Sequence, residues 1–194
     1  ICDQVGGGFH RYATDERWLV PHFEKMLYDQ ALIARSYLEA YQVTHKSWYA
    51  EVVRDLFEYV LRDLRDPQGA FYAAEDAGEV GQEGEFYVWT PQELAEVLGA
   101  EAERFSRCYG VSPSGNFERG RTILSMAASL EAFAEQEGLP IKTLRAQLKR
   151  ARAKLLAVRQ KRQRPHRDDK ILTDWNGLMI GALAYGARAL QEPR

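Results

Sequence analysis

VGGGFHRYATDERWLVPHFEKMLYDQALIARSYLEAY, Val5 to Tyr41, sets three glycines, two histidines, carboxylates, a lysine and aromatics directly ahead of a long apolar run. Phe23, Met26, Leu27, Leu32, Ile33, Ala34, Tyr37, Leu38 and Tyr41 fall at helical spacing and nearly surround the cylinder. A helix apolar almost all round is a buried one. Pro21 suits a first helical position and Glu24 a first turn, so the pattern predicts an inner helix starting near Val20. Its positive end faces the polar loop before it. That loop is the expected mouth of a site, and the helix its wall.

Working outward, Trp48 to Leu64 puts Tyr49, Val52, Val53, Leu56, Phe57, Val60 and Leu64 on one face and Glu51, Arg54, Asp55, Glu58, Arg62 and Asp63 on the other. This predicts an outer helix following the inner one. Ala70–Ala73 and Glu85–Trp89 are short aromatic runs separated by a loop of Gly, Glu and Asp, a pattern that predicts a β-hairpin with a long acidic tip. Thr90-Pro91-Gln92-Glu93 is a capping box that opens a helix ending near Gly99. Short helices are expected at Glu101–Cys108 and Leu130–Gln136, with an irregular stretch over Asn116–Ala127. Ile141 to about Gln163 carries a narrow stripe of Ile141, Leu144, Leu148, Ala151, Leu155 and Val158 among basic residues. The last helix, Asp174–Leu190, is again apolar around most of its circumference and is entered from Asp168, Asp169 and Lys170. Helices alternating inner and outer, with glycine-aromatic loops at one end, point to a mainly α toroid of helical hairpins.

Charge is uneven: residues 1–141 hold 12 Lys+Arg against 24 Asp+Glu, whereas residues 142–170 hold 12 against 2. The basic helix is therefore expected to dock on acidic neighbours. No aromatics interleave its charges, which argues against nucleic acid as a partner. The longest uncharged apolar stretch, Gly177–Ala187, is well short of the roughly 18 residues of a membrane span. Cys2 and Cys108 match neither a disulfide framework nor a metal pattern, so free thiols in a reducing, cytoplasmic setting are expected. The four histidines show no HExxH spacing, and GGGF lacks the GxxxxGK[ST] of a phosphate loop; neither a metal nor another cofactor is expected. The chain starts at Ile1 without a methionine and ends just after an apolar helix, so it reads as one domain that is a piece of a longer protein.

GGGFHRYATDERWLVPHFEKMLYDQALIARSYLEAY, EGEFYVWTPQEL and DDKILTDWNGLMIGALA resemble the thioredoxin-domain-containing, spermatogenesis-associated-protein-20-like family. The resemblance implies a fragment of an (α/α)6 toroid of the six-hairpin glycosidase superfamily, related to the N-acylglucosamine 2-epimerase fold. It also implies that a thioredoxin-like domain and later hairpins lie outside this stretch and contact it within the full-length molecule. A redox function is not carried over to this chain.

Sugars present a C–H face and an array of hydroxyls, and are met by aromatic platforms with carboxylates. On that ground His10, Tyr12, Asp15, Trp18, Lys25, Tyr28, Glu75, Asp174, Trp175 and Asn176 are candidates for binding a small sugar, and His22, Glu24, Asp29 and Asp76 for catalysis. Paired carboxylates would serve a hydrolase, and bases of suitable pKa an epimerase or isomerase. The alternative is a non-catalytic structural or interaction module, in which the same polar residues hold loops together.

Overall fold

A computed structural model describes residues 1–126 and 128–192, so Ala127, the last residue of the expected irregular stretch, lies outside the described residues. The chain is mainly helical, with α1 Leu27–Thr44, α2 Ser47–Tyr59, α3 Pro91–Leu98, α4 Ala102–Cys108, α5 Leu130–Gln136, α6 Ile141–Arg159 and α7 Thr173–Leu190. α2 continues as one π turn, Val60–Leu64. Two small antiparallel sheets join them. β1 Tyr12–Ala13 pairs with β2 Pro21–His22, while β4 Ala74–Glu75 lies between β3 Lys25–Met26 and β5 Arg167–Asp168.

The first helix therefore begins at Leu27 and not near Val20. Residues 21–25 alternate between buried and half-buried, with Pro21, Phe23 and Lys25 inward and His22 and Glu24 outward. That two-residue period belongs to extended chain, and strand pairing satisfies the backbone there. The expected hairpin of Ala70–Ala73 with Glu85–Trp89 is absent. Phe71 bridges Arg65, Trp89 bridges Thr122, and the strand in this region is Ala74–Glu75, whose partners come from both ends of the chain. Thr90 forms the expected capping box: its hydroxyl accepts from Glu93 N at 3.1 Å and Thr90 N donates to the Glu93 carboxylate at 2.8 Å.

Because β3 and β5 share a sheet, α1 and α7 leave it side by side and run parallel. Tyr28 meets Trp175 near their starts, and Tyr185 donates to Gln42 at 2.5 Å near their ends. α1 and α7 pack with α2 around Leu27, Leu38, Leu56, Tyr59 and Met179. A second core, built on Trp89, Leu94, Phe105, Leu144 and Leu155, gathers α3 to α6. α1 and α7, expected to be inner helices buried almost all round, bury one side only, since Leu32, Leu178 and Ile180 are exposed. On α6 the buried stripe is Leu144, Leu148, Ala151, Leu155 and Arg159, with Arg159 in place of the expected Val158. Its basic face docks on acid as expected, Arg145 on Glu51, Arg152 on Asp55 at 2.9 Å and Lys154 on Glu101 at 2.5 Å.

Candidate functional site

The triple glycine is a packing device. A Cβ on Gly8 would lie 2.5 Å from the Tyr59 ring, and one on Gly7, at φ +78°, would lie 2.4 Å from the Asp55 carbonyl. Glycine lets this segment press against α2 and hand the chain to β1. The β1–β2 hairpin and the starts of α1 and α7 then form one rim, tied together through the sheet of β3, β4 and β5.

On the outer face of that rim the Glu24 carboxylate accepts from Arg11 at 3.1 Å and lies 3.2 Å from His22 Nε2. The His22 ring stacks on Tyr12 with centroids 4.8 Å apart. Tyr28 lies near enough to Arg11 to help raise its guanidinium above the usual range, after the larger effect of the Glu24 bond, and meets Trp175 edge-on at 4.8 Å. Arg11 with Glu24, and Tyr28 with Trp175, thus sit at the two helix starts. Asp29, in the first turn of α1, is half-buried, and its Oδ2 has no hydrogen-bond partner among the described residues. Partial burial raises its carboxyl above the usual range, against a smaller opposing effect of Arg11. Asp174 is exposed and accepts from Trp175 N at 2.9 Å, while Asp76 lies after β4, its N–H donating to the His166 carbonyl.

Other predicted site residues lie beneath the rim, in a buried ionic layer. Lys25, 1% exposed, donates to Asp3 at 2.8 Å and to the Gly7 carbonyl at 2.9 Å, and its ammonium sits 4.2 Å from the centre of the Tyr59 ring. Asp3 also takes two bonds of 2.8 Å from Arg159. Burial alone would raise the Asp3 carboxyl, but Arg159 and Lys25 outweigh it and hold it well below the usual range. Glu75, opposite Lys25 in the sheet, accepts from Tyr59 at 2.8 Å and pairs with Arg164 at 3.4 Å. His10 is buried edge-on against Phe23 and Tyr87. Asn176 clamps the Phe71 peptide, its Oδ1 accepting from Phe71 N at 2.8 Å and its Nδ2 donating to Phe71 O at 2.9 Å. Asp15 caps its own loop, accepting from Leu19 N and Val20 N, and Trp18 stands exposed at the hairpin tip.

Asp3, Tyr59, Asp63 and Arg159, which complete the buried layer, and the exposed Arg164 that pairs with Asp63 and Glu75, carry no local signal, because the contacts that join them come from far away in the chain. Lys25 had one: it continues the inward set of Pro21 and Phe23. Among the described residues, no group of three or more His, Cys, Asp or Glu is disposed to hold a metal ion. Among them, too, no helix is long and apolar enough to cross a membrane.

No family model matches the chain. It is similar over its whole length to Spermatogenesis-associated protein 20 of Homo sapiens, with 38% identity covering 100% of this chain and 28% of that protein. The Mus musculus protein of the same name is 39% identical, over 98% of this chain and 27% of its own length. An uncharacterized protein of Caenorhabditis elegans is 30% identical, over 100% and 30%. The chain spans less than a third of the length of these relatives, and the similarity supports the spermatogenesis-associated protein 20 family for it.

Proposed function

We propose that the rim binds a small polyhydroxylated ligand, a sugar, and that in the full-length protein this chain supplies the first hairpins of an (α/α)6 toroid with epimerase-, isomerase- or glycoside-hydrolase-like chemistry. One observation carries the ligand: the Glu24 carboxylate bonds Arg11 and lies beside the Tyr12–His22 ring pair, while the start of α1 adds the Tyr28–Trp175 pair and Asp29, whose buried Oδ2 has no partner among the described residues. Rings offer faces to the C–H side of a sugar, and the partly exposed Glu24 carboxylate accepts its hydroxyl protons. The raised carboxyl of Asp29 also suits a group that gives up a proton during bond cleavage or epimerisation. The toroid draws on the parallel exit of α1 and α7 from one sheet, the antiparallel return of α2, and the resemblance of the motifs.

A second reading, a non-catalytic interaction module, draws on a different observation. Lys25, Glu75 and Asn176 are buried and consumed by internal bonds, and His10 is buried with its Nδ1 bonded to the Phe23 carbonyl. Titrating the full-length protein with a panel of mono- and disaccharides separates the two. Sugar binding raises the unfolding midpoint by mass action and NMR of the sugar reports epimerisation or cleavage. Asp29→Asn is expected to abolish turnover while leaving the fold intact. No midpoint shift and no turnover with any sugar would leave the interaction module standing.

A further inference from the structure

The β1–β2 hairpin has a second face, turned away from the rim. His22 and Glu24 point to the rim side, while Pro21 and Phe23 line a cavity of about 50 Å³ on the other, together with Trp18, Leu19, His10 and Tyr87. At the roughly 10–15 Å³ that one water requires, this space holds about three to five non-hydrogen atoms.

Two features give the cavity chemistry. Trp18 lines it while remaining 69% exposed, at φ +57°. A bulky residue in the left-handed region is strained by about 1–2 kcal/mol and persists only where its surroundings enforce it. Here Trp18 N donates to Asp15 O at 3.3 Å, and the Asp15 carboxylate accepts from Leu19 N at 2.9 Å and Val20 N at 2.7 Å, so the loop holds the indole out of the core. The second feature is His10, 4% exposed. Its Nδ1 donates to the Phe23 carbonyl at 2.9 Å, which leaves Nε2 as an acceptor with no hydrogen bond from another described residue. Burial, with the Lys25 charge next, holds the ring neutral, its pKa lowered to about 3. A neutral acceptor beside the Asp3 carboxylate disfavours anions, and the Tyr87 hydroxyl, buried without a partner among the described residues, is a donor in the same lining; a ketone can only accept there, whereas an alcohol can accept and also donate to His10 Nε2. The cavity suits a neutral O–H donor with a short apolar body.

We propose that this cavity binds a small neutral alcohol, its O–H donating to His10 Nε2 and its C–H groups packed against Trp18, Leu19 and Phe23. The site is independent of the sugar rim. The test uses the full-length protein labelled with 5-fluorotryptophan, titrated by ¹⁹F NMR with 2-propanol and, separately, with acetone, which matches it in size but lacks the donor. Trp18→Gly assigns the Trp18 signal and relieves the backbone strain, so it does not threaten folding. A saturable shift confined to the Trp18 signal is expected with 2-propanol, with acetone binding at least about fivefold more weakly for want of one hydrogen bond. His10→Phe is expected to erase the preference, and the wild-type comparison decides the matter even if that variant fails to fold. Equal response to the two probes, a shift linear in concentration, or movement of every tryptophan signal alike overturns the proposal. A sugar at the rim would move Trp175 instead, so failure of either site is seen separately.

Discussion

His10 and Asp3 touch the same buried layer and lose stability in different pH windows. The folded His10 has its pKa lowered to about 3, mainly by burial, whereas an unfolded histidine protonates near 6.5. Below about pH 6.5 the unfolded state takes up a proton that the folded state refuses, so stability is full above that pH and declines as pH falls toward 3. The slope is at most about 1.4 kcal/mol per pH unit. Chemical denaturation between pH 7 and 4.5 checks it, and His10→Phe is expected to flatten the decline over pH 5–6.5. Asp3 is likewise depressed but titrates lower, so its contribution, present above about pH 4, is lost only in stronger acid. Asn176 makes a non-ionic counterpart: Asn176→Ala leaves the buried Phe71 peptide without either partner and is expected to cost roughly 1–3 kcal/mol by urea denaturation.

Elements show how a local rule is kept or overridden. The capping box of α3 is written in four consecutive residues, and Thr90→Ala is expected to cost about 1 kcal/mol. α1 starts at Leu27 although Pro21 and Glu24 satisfy helix-start preferences, because the two-residue alternation of Pro21 to Lys25 matches a strand whose partners lie elsewhere. Two glycines of α7 separate propensity from packing. Nothing lies within 4 Å of a Cβ on Gly181, whereas one on Gly186 would be 2.5 Å from the Phe57 ring. Gly181→Ala should raise Tm by about 2–4 °C, since alanine gains up to about 1 kcal/mol over glycine in a helix. Gly186→Ala should lower Tm, because Phe57 has to move; a rise at both sites would mean that Phe57 yields freely.

For the whole molecule, the buried charges act as the joint between two cores. Arg159 closes α6, whose face belongs to the core of α3 to α6, and Lys25 leads into α1 of the other core, with Asp3 bonded to both. Removing one member of such a buried set leaves cations uncompensated, at a cost of about 3–5 kcal/mol. Asp3→Asn is therefore expected to split the urea transition, with probes near Trp89 and Trp175 melting at different midpoints; coincident melting would show that packing alone couples the cores. Exposed Leu32, Leu178 and Ile180 bear on the proposed toroid. If further hairpins cover α7, Ile180→Gln should destabilise the full-length protein by more than 1 kcal/mol, whereas a bare surface position would change by within about 0.5 kcal/mol.

What the sequence determined by itself is everything set by neighbours three or four residues apart: the helices, their amphipathic stripes, the capping box and the docking of a basic helix on an acidic chain. Those features rest on periodicity and on charge, which are local sums. The meeting of Arg11, Glu24, Tyr28, Asp29 and Trp175 at one rim was half legible, because the entry loops of both apolar helices could be marked but not their shared sheet. Only the tertiary structure decided that Lys25, Glu75, His10 and Asn176 lie under that rim and not on it. Whether a lysine is a ligand or a buried joint depends on Asp3, Tyr59 and Arg159 arriving from 22, 34 and 134 residues away in the chain, and no local pattern encodes such closures.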